Sequence, residues 1–231
     1  MSWDKMIMRF PEGLENVKAK YPQKLTALLI KDIEKYSSDI KDLHTLNDVC
    51  YLALCLYSLG DNEAALYFAD IVSDMDLTQF GKQVKGFTDS AACAHSYKCD
   101  ALVLCTAICR EIGKSKKADD YWSRLLVTYL ETDKWGEKRE DGMAQKRWKR
   151  NLEKGDLFQL KDGKFQNGKS GEGSQHNTFY NCAEVLFHLL WMKQAGGSEL
   201  YPVEKLTQLI DERKKWLGEN LDNAPAKTLI H

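Results

Sequence analysis

The chain is poor in several features that would narrow its function quickly. It has four prolines in 231 residues, which suits long helices better than many short strands. No apolar run reaches the ~20 residues that a helix needs to cross a bilayer, so no membrane partner is expected. The start, Met1-Ser2-Trp3-Asp4-Lys5, lacks a charged segment followed by an apolar one, so no secretory leader is read there. No CxxC occurs, and no two histidines stand together at ligand spacing. Gly168, Gly171 and Gly173 follow a hairpin signal, not a buried strand, so they form no phosphate loop. The net charge is −1, and bulk charge therefore argues neither for nucleic acid nor for an acid-rich tail.

The seven cysteines are odd in number and sit inside apolar helical patterns. Reduced, buried thiols in a cytoplasmic protein are the simplest account. Cys105 and Cys109 share an apolar helix face, which is a packing pattern. Cys182 as a nucleophile would need a histidine, and His188 falls on another face of the same helix.

What the chain does have is helical periodicity. The stretch Leu46–Met75 reads as two helices joined at Gly60-Asp61, a helix-stopping glycine followed by a capping aspartate. The first of the pair is apolar on nearly every side, so it must be covered by protein on several sides. Before it, Pro11 is expected to open a short helix to Lys20, and Pro22 a second over residues 22–37. After it, helices are expected over 90–112, 115–130, from Asn177 to about 195, and 202–217. The third-last of these carries Ala118, Tyr121, Trp122, Leu125, Leu126 and Tyr129 on one stripe. Residues 132–154 read as a polar helix. Lys161-Asp162-Gly163-Lys164 between short alternating runs signals a β-hairpin. The expectation is a single all-α domain over 1–231, with residues 155–176 as a β-hairpin and glycine-rich loop insertion.

Two of the helical pairs can be laid on each other. Gly60 falls on Gly113, Ala65 on Ala118, Ala69 on Trp122, and the small Ala53 on the small Thr106. In this the chain resembles the tetratricopeptide-type helical hairpin, where small residues stand at such offsets. The unit offset is longer than that of a regular array. The reading is therefore stacked antiparallel helical hairpins, tetratricopeptide-like or an irregular bundle.

No catalytic constellation is evident. Asp61, Glu63, Asp70, Asp74 and Asp76 give the first hairpin an acidic edge. Asp70 and Asp74 share a helix face, but no third ligand stands by them, so a solvated face or a surface for a basic partner is the reading. Trp135 and the run Lys146-Arg147-Trp148-Lys149-Arg150 mix aromatic and basic residues. Such a run can meet phosphates and stack on bases, yet nearby acids dilute it, and nucleic acid is disfavoured. His176 lies at an expected loop-to-helix junction. The candidate partner-binding residues are Asp61, Glu63, Asp70, Asp74, Trp135, Trp148, Lys149, Arg150 and His176; no catalytic residue, cofactor or metal is expected.

Size, helical hairpins and the arrangement His176-Asn177-Thr178-Phe179-Tyr180 followed by Leu200-Tyr201-Pro202-Val203 resemble the all-helical immunity proteins of bacterial polymorphic-toxin loci. That resemblance implies a cytoplasmic, non-enzymatic protein that binds and blocks a cognate toxin domain. A helical-repeat adaptor or chaperone, and a divergent helical metal-dependent enzyme, are the alternatives.

Overall fold

The structure is a computed structural model that describes residues 3–21, 43–76, 90–136, 160–161, 164–165 and 175–221. The described part is all-α, with seven helices. They are α1 (Trp3–Lys20), α2 (Leu43–Ser58), α3 (Asn62–Ser73), α4 (Ser90–Glu111), α5 (Ser115–Gly136), α6 (Gln175–Gln194) and α7 (Val203–Glu219). The expected helix over 22–37 lies outside the described residues. So does most of the expected 155–176 insertion, of which Leu160–Lys161 and Lys164–Phe165 lie antiparallel to each other.

Backbone chemistry explains where the inner helices stop. At the end of α2, the Gly60 N–H donates to the Tyr57 carbonyl and the Asp61 N–H to that of Leu56. The same pair of bonds recurs after α4, from Gly113 to Arg110 and Lys114 to Cys109, and after α6, from Gly196 to Lys193 and Gly197 to Met192. This closure satisfies carbonyls that a helix end leaves open, and it needs a left-handed residue. Gly60, Gly113 and Gly196 supply it, at φ of +80°, +73° and +93°. Each following helix begins with a bond back to the residue before it: Ala65 to Asp61, Ala118 to Lys114, Leu206 to Pro202.

Three boundaries differ from the sequence expectation. Pro11 does not open a helix; α1 runs through it from Trp3. Pro11 is exposed, so the carbonyl it leaves without a donor can turn to water. Helix α5 continues past Leu130 to Gly136. Its apolar stripe ends earlier, but nothing before Gly136 breaks a helix, so Trp135 belongs to α5 and not to a separate polar helix. Finally, α6 opens at Gln175, ahead of the expected start at Asn177, which places His176 inside its first turn and not at a junction.

The core is centred on α2 and α4. Val49, Leu52, Ala53, Leu54, Leu56 and Tyr57 of α2 are wholly excluded from solvent, as are Leu102, Leu104, Cys105, Ala107 and Ile108 of α4. Helix α2 packs on α3, α4 and α7, while α4 packs on α2, α3, α5 and α6. Two tyrosines tie the layers with buried hydroxyls. Tyr57 of α2 donates to Glu111 Oε1 at 2.5 Å, and Tyr121 of α5 donates to Asp70 of α3. Burial, helped by these carboxylates, pushes both phenols well above their ordinary value. Lys214 Nζ of α7 lies 3.6 Å from the centre of the Tyr57 ring.

Helix α1 docks on α3 through Gly13. A Cβ there would stand 2.6 Å from Tyr67 Cε1 and 2.9 Å from Phe68 Cζ. Phe68 is buried, and the Tyr67 hydroxyl is tied to the Arg9 carbonyl at 2.7 Å, so neither ring is free to withdraw. Alanine would gain about 1 kcal/mol in helix propensity, but relieving two such contacts costs about 1–3 kcal/mol. Gly13→Ala is therefore expected to lower stability by about 1 kcal/mol net, read as a fall in the urea midpoint. An increase in stability would mean that α1 does not approach α3 so closely.

Candidate functional site

The acidic edge read from the sequence is divided by the fold into two ends of α3. At the first end Asp61 caps the helix. Its side chain accepts from the Ala64 N–H at 3.2 Å, from Lys20 Nζ at 2.7 Å and from the Tyr21 hydroxyl at 2.9 Å. Burial pushes its carboxyl up, but the hydrogen bonds from Lys20, Tyr21 and Ala64 outweigh that, and its pKa lies below the ordinary 3.8.

That depression sets a pH dependence. A carboxylate with a lowered folded pKa contributes stability that is complete above its unfolded value and is lost as pH falls through the folded one. Asp61 should thus stabilise the chain fully above 3.8 and progressively less below it. In Asp61→Asn the side chain still caps the helix but no longer titrates. The variant is expected to be less stable than wild type at neutral pH, with the difference shrinking as pH falls below about 4. Urea midpoints measured across pH 2–6 check this; a constant difference would remove the Lys20–Asp61 pair as its cause.

Between α1 and this end of α3 lies a cleft of about 230 Å³. Its lining includes Glu12, Val17, Asp61, Glu63, Ala64 and Phe68. Glu12 and Glu63 are exposed, while Asp61 is already engaged by Lys20. Of the acidic residues singled out from the sequence, Glu63 is thus the one presented at this cleft with its carboxylate outside any ion pair among the described residues.

At the other end, the chain itself uses the acids. Asp70 accepts from the Tyr121 hydroxyl and faces Arg9 at 3.7 Å. Asp74 pairs with Arg124 Nη2 at 2.8 Å, and the same nitrogen donates to the Ser73 carbonyl at 2.8 Å. Reversing both charges would therefore disturb the contact of α3 with α5 as well as any outer surface. Trp135 falls in the last turn of α5 and His176 in the first turn of α6. Trp148, Lys149 and Arg150 lie outside the described residues.

The buried chemistry points away from thiol reactivity. Cys182 lies 3.9 Å from the Arg213 carbonyl, and burial pushes its thiol up to about 12. Burial likewise raises Cys50, Cys55, Cys105 and Cys109. A thiol so raised carries little thiolate at neutral pH. Burial and the neighbouring Glu184 also push the Asp100 carboxyl well up. No group of three or more metal-ligating side chains occurs among the described residues.

Sequence reading missed Arg9, Lys20, Tyr21, Tyr121 and Arg124 as the groups that engage these acids. Each lies 40 or more residues from its partner along the chain. The periodicity that places Tyr121 on a core stripe says nothing about the carboxylate it meets. Comparison with protein-family models, with curated proteins and with solved structures finds no match for this chain.

Proposed function

We propose that the chain is a non-enzymatic protein-binding protein. In its most specific form, it is a cytoplasmic immunity protein that binds and blocks a cognate bacterial toxin domain. The observation that carries this reading is the pairing, at two of the three such turns, of the glycine closure with a buried alanine five residues on. Gly60 and Gly113 close α2 and α4 with the same two hydrogen bonds, and Ala65 and Ala118 then sit wholly buried at the same offset in α3 and α5. On this reading α2–α3 and α4–α5 are two like units in the manner of tetratricopeptide-like antiparallel hairpins, and stacks of that kind offer extended surfaces to other proteins.

The contact surface is proposed to be the edge of α3 carrying Asp61, Glu63, Asp70 and Asp74, or the segment 134–176, which includes Trp135 and His176. Within that segment the β-hairpin insertion and Trp148, Lys149 and Arg150 give the basic-aromatic counterpart to the acidic edge. Aromatic and arginine side chains are the residues that most often dominate such contacts.

The test is capture from the native host lysate by the tagged full chain, with mass spectrometry of bound protein and bound metal. One stoichiometric partner whose toxicity is neutralised at equimolar ratio is the expected result. Several unrelated clients would favour the adaptor or chaperone. A stoichiometric metal with no partner would favour the helical enzyme and overturn the proposal. With a partner in hand, the double variant Lys149→Glu, Arg150→Glu should weaken binding at least tenfold, or about 1.4 kcal/mol. An unchanged affinity would remove that segment from the interface.

A further inference from the structure

The cleft between α1 and α3 combines a cavity, an apolar floor and unbalanced charge. Its volume of about 230 Å³ falls below the range of about 300–1,000 Å³ typical of small-molecule and cofactor sites. It is a size for one side chain. Val17 and Phe68, both buried, and Ala64 form apolar lining. Among the lining carboxylates, Asp61 is neutralised by Lys20 at 2.7 Å. Glu12 on α1 and Glu63 on α3 are left exposed and without an ion pair among the described residues, so the mouth keeps a charge of two negatives.

We infer that this cleft is the socket for an arginine side chain of the bound protein partner. The aliphatic stem lies along Val17, Ala64 and Phe68, and the guanidinium sits between Glu12 and Glu63. A lone charge or a lone apolar group would use half of what the cleft offers. Arginine carries both, and its planar fork suits carboxylate acceptors. Arginine is also among the residues that anchor protein interfaces when seated in a pocket. The inference rests on the protein-binding reading above and names the chemistry of the partner at this edge.

The test uses N-acetyl-arginine amide as the probe, with N-acetyl-citrulline amide as its uncharged match, titrated into the full chain at low ionic strength. Amide chemical shifts of Gly13 and Ala64 are the readout. The arginine probe should move both and saturate at millimolar concentration, and the citrulline probe should not. The double variant Glu12→Gln, Glu63→Gln removes two exposed charges that make no ion pair among the described residues, and should bind the probe at least fivefold more weakly, with no more than the small fall in urea midpoint that losing the first-turn carboxylate of α3 brings. Absent shifts at Gly13 and Ala64, equal shifts with both probes, or unchanged probe binding by the double variant overturns the socket. The lysate capture judges the protein-binding reading separately: a partner held equally by wild type and double variant, with a silent probe, sinks the socket alone. A probe that maps to the cleft in a chain that captures no partner leaves the socket and sinks the reading it was built on.

Discussion

Gly197→Ala is expected to destabilise the chain by about 3–4 kcal/mol, against about 1–2 kcal/mol for Gly196→Ala next to it. Both residues sit at positive φ, +93° for Gly196 and +73° for Gly197, so both substitutions meet the left-handed penalty of an L-residue. They differ in what surrounds them. A Cβ on Gly196 would meet nothing within 4 Å, whereas one on Gly197 would stand 2.7 Å from the Tyr201 carbonyl oxygen and 3.2 Å from the Val203 nitrogen. Backbone cannot swing aside as a side chain can. The turn it would press on is held at both ends: the Ser198 N–H donates to the Tyr201 carbonyl at 2.9 Å, and the Tyr201 N–H donates to Ser198 Oγ at 3.1 Å. Tyr201 is itself buried, and Pro202 opens α7 immediately after it. Urea midpoints at constant slope separate the two costs. Equal losses for the neighbouring variants would mean that the α6–α7 connection does not pass so close to Gly197.

The second large effect belongs to α2. Leu54→Ala should cost about 3–5 kcal/mol, because a buried leucine leaves both lost transfer energy and a cavity its neighbours cannot fill. Leu54 has no exposed surface, and its helix is packed by α3, α4 and α7, so no side is free to collapse inward without opening another. Domains of this kind are stable by about 5–15 kcal/mol in total, and the variant should show a measurable unfolded fraction well below the denaturant midpoint of wild type. Leu126→Ala is the matched control. That leucine is 43% exposed, and its loss should stay within about 0.5 kcal/mol. If the two variants behaved alike, α2 would not be the centre of the core.

The residues that made this architecture legible are those whose chemistry acts locally. Gly60 and Gly113 announce helix ends because few other residues accept their backbone angles, and Asp61 announces a helix start because its side chain reaches its own chain three residues on. Ala118, Tyr121 and Leu125 were readable as an inward stripe from spacing alone, whereas Leu126, read onto the same stripe, is 43% exposed and the buried Thr128 was not read at all. Pro11 misled, since a proline on an exposed helix face costs a hydrogen bond that water can replace. The far limit of α5 was hidden because its polar last turns carry no stripe to read. The candidate site was legible only in its composition. That Asp70 and Asp74 are held by Tyr121 and Arg124, and that Glu63 stands beside a cleft, depend on which helices become neighbours. No local pattern encodes that.

The buried cysteines bear on how the chain's motions can be followed. Cys50 and Cys55 lie on α2, Cys99, Cys105 and Cys109 on α4, and Cys182 on α6, all buried and unbridged. A thiol-specific alkylating reagent reaches such groups only when the helix around them opens. Where reclosing outpaces the chemistry, the labelling rate reports the population of the open form. Among the described residues the native sequence thus carries six internal clocks on three helices, without a single introduced probe. Their relative rates, read by peptide mass spectrometry, would rank α2, α4 and α6 by the free energy at which each lets go, and would show whether the core yields as one unit or helix by helix.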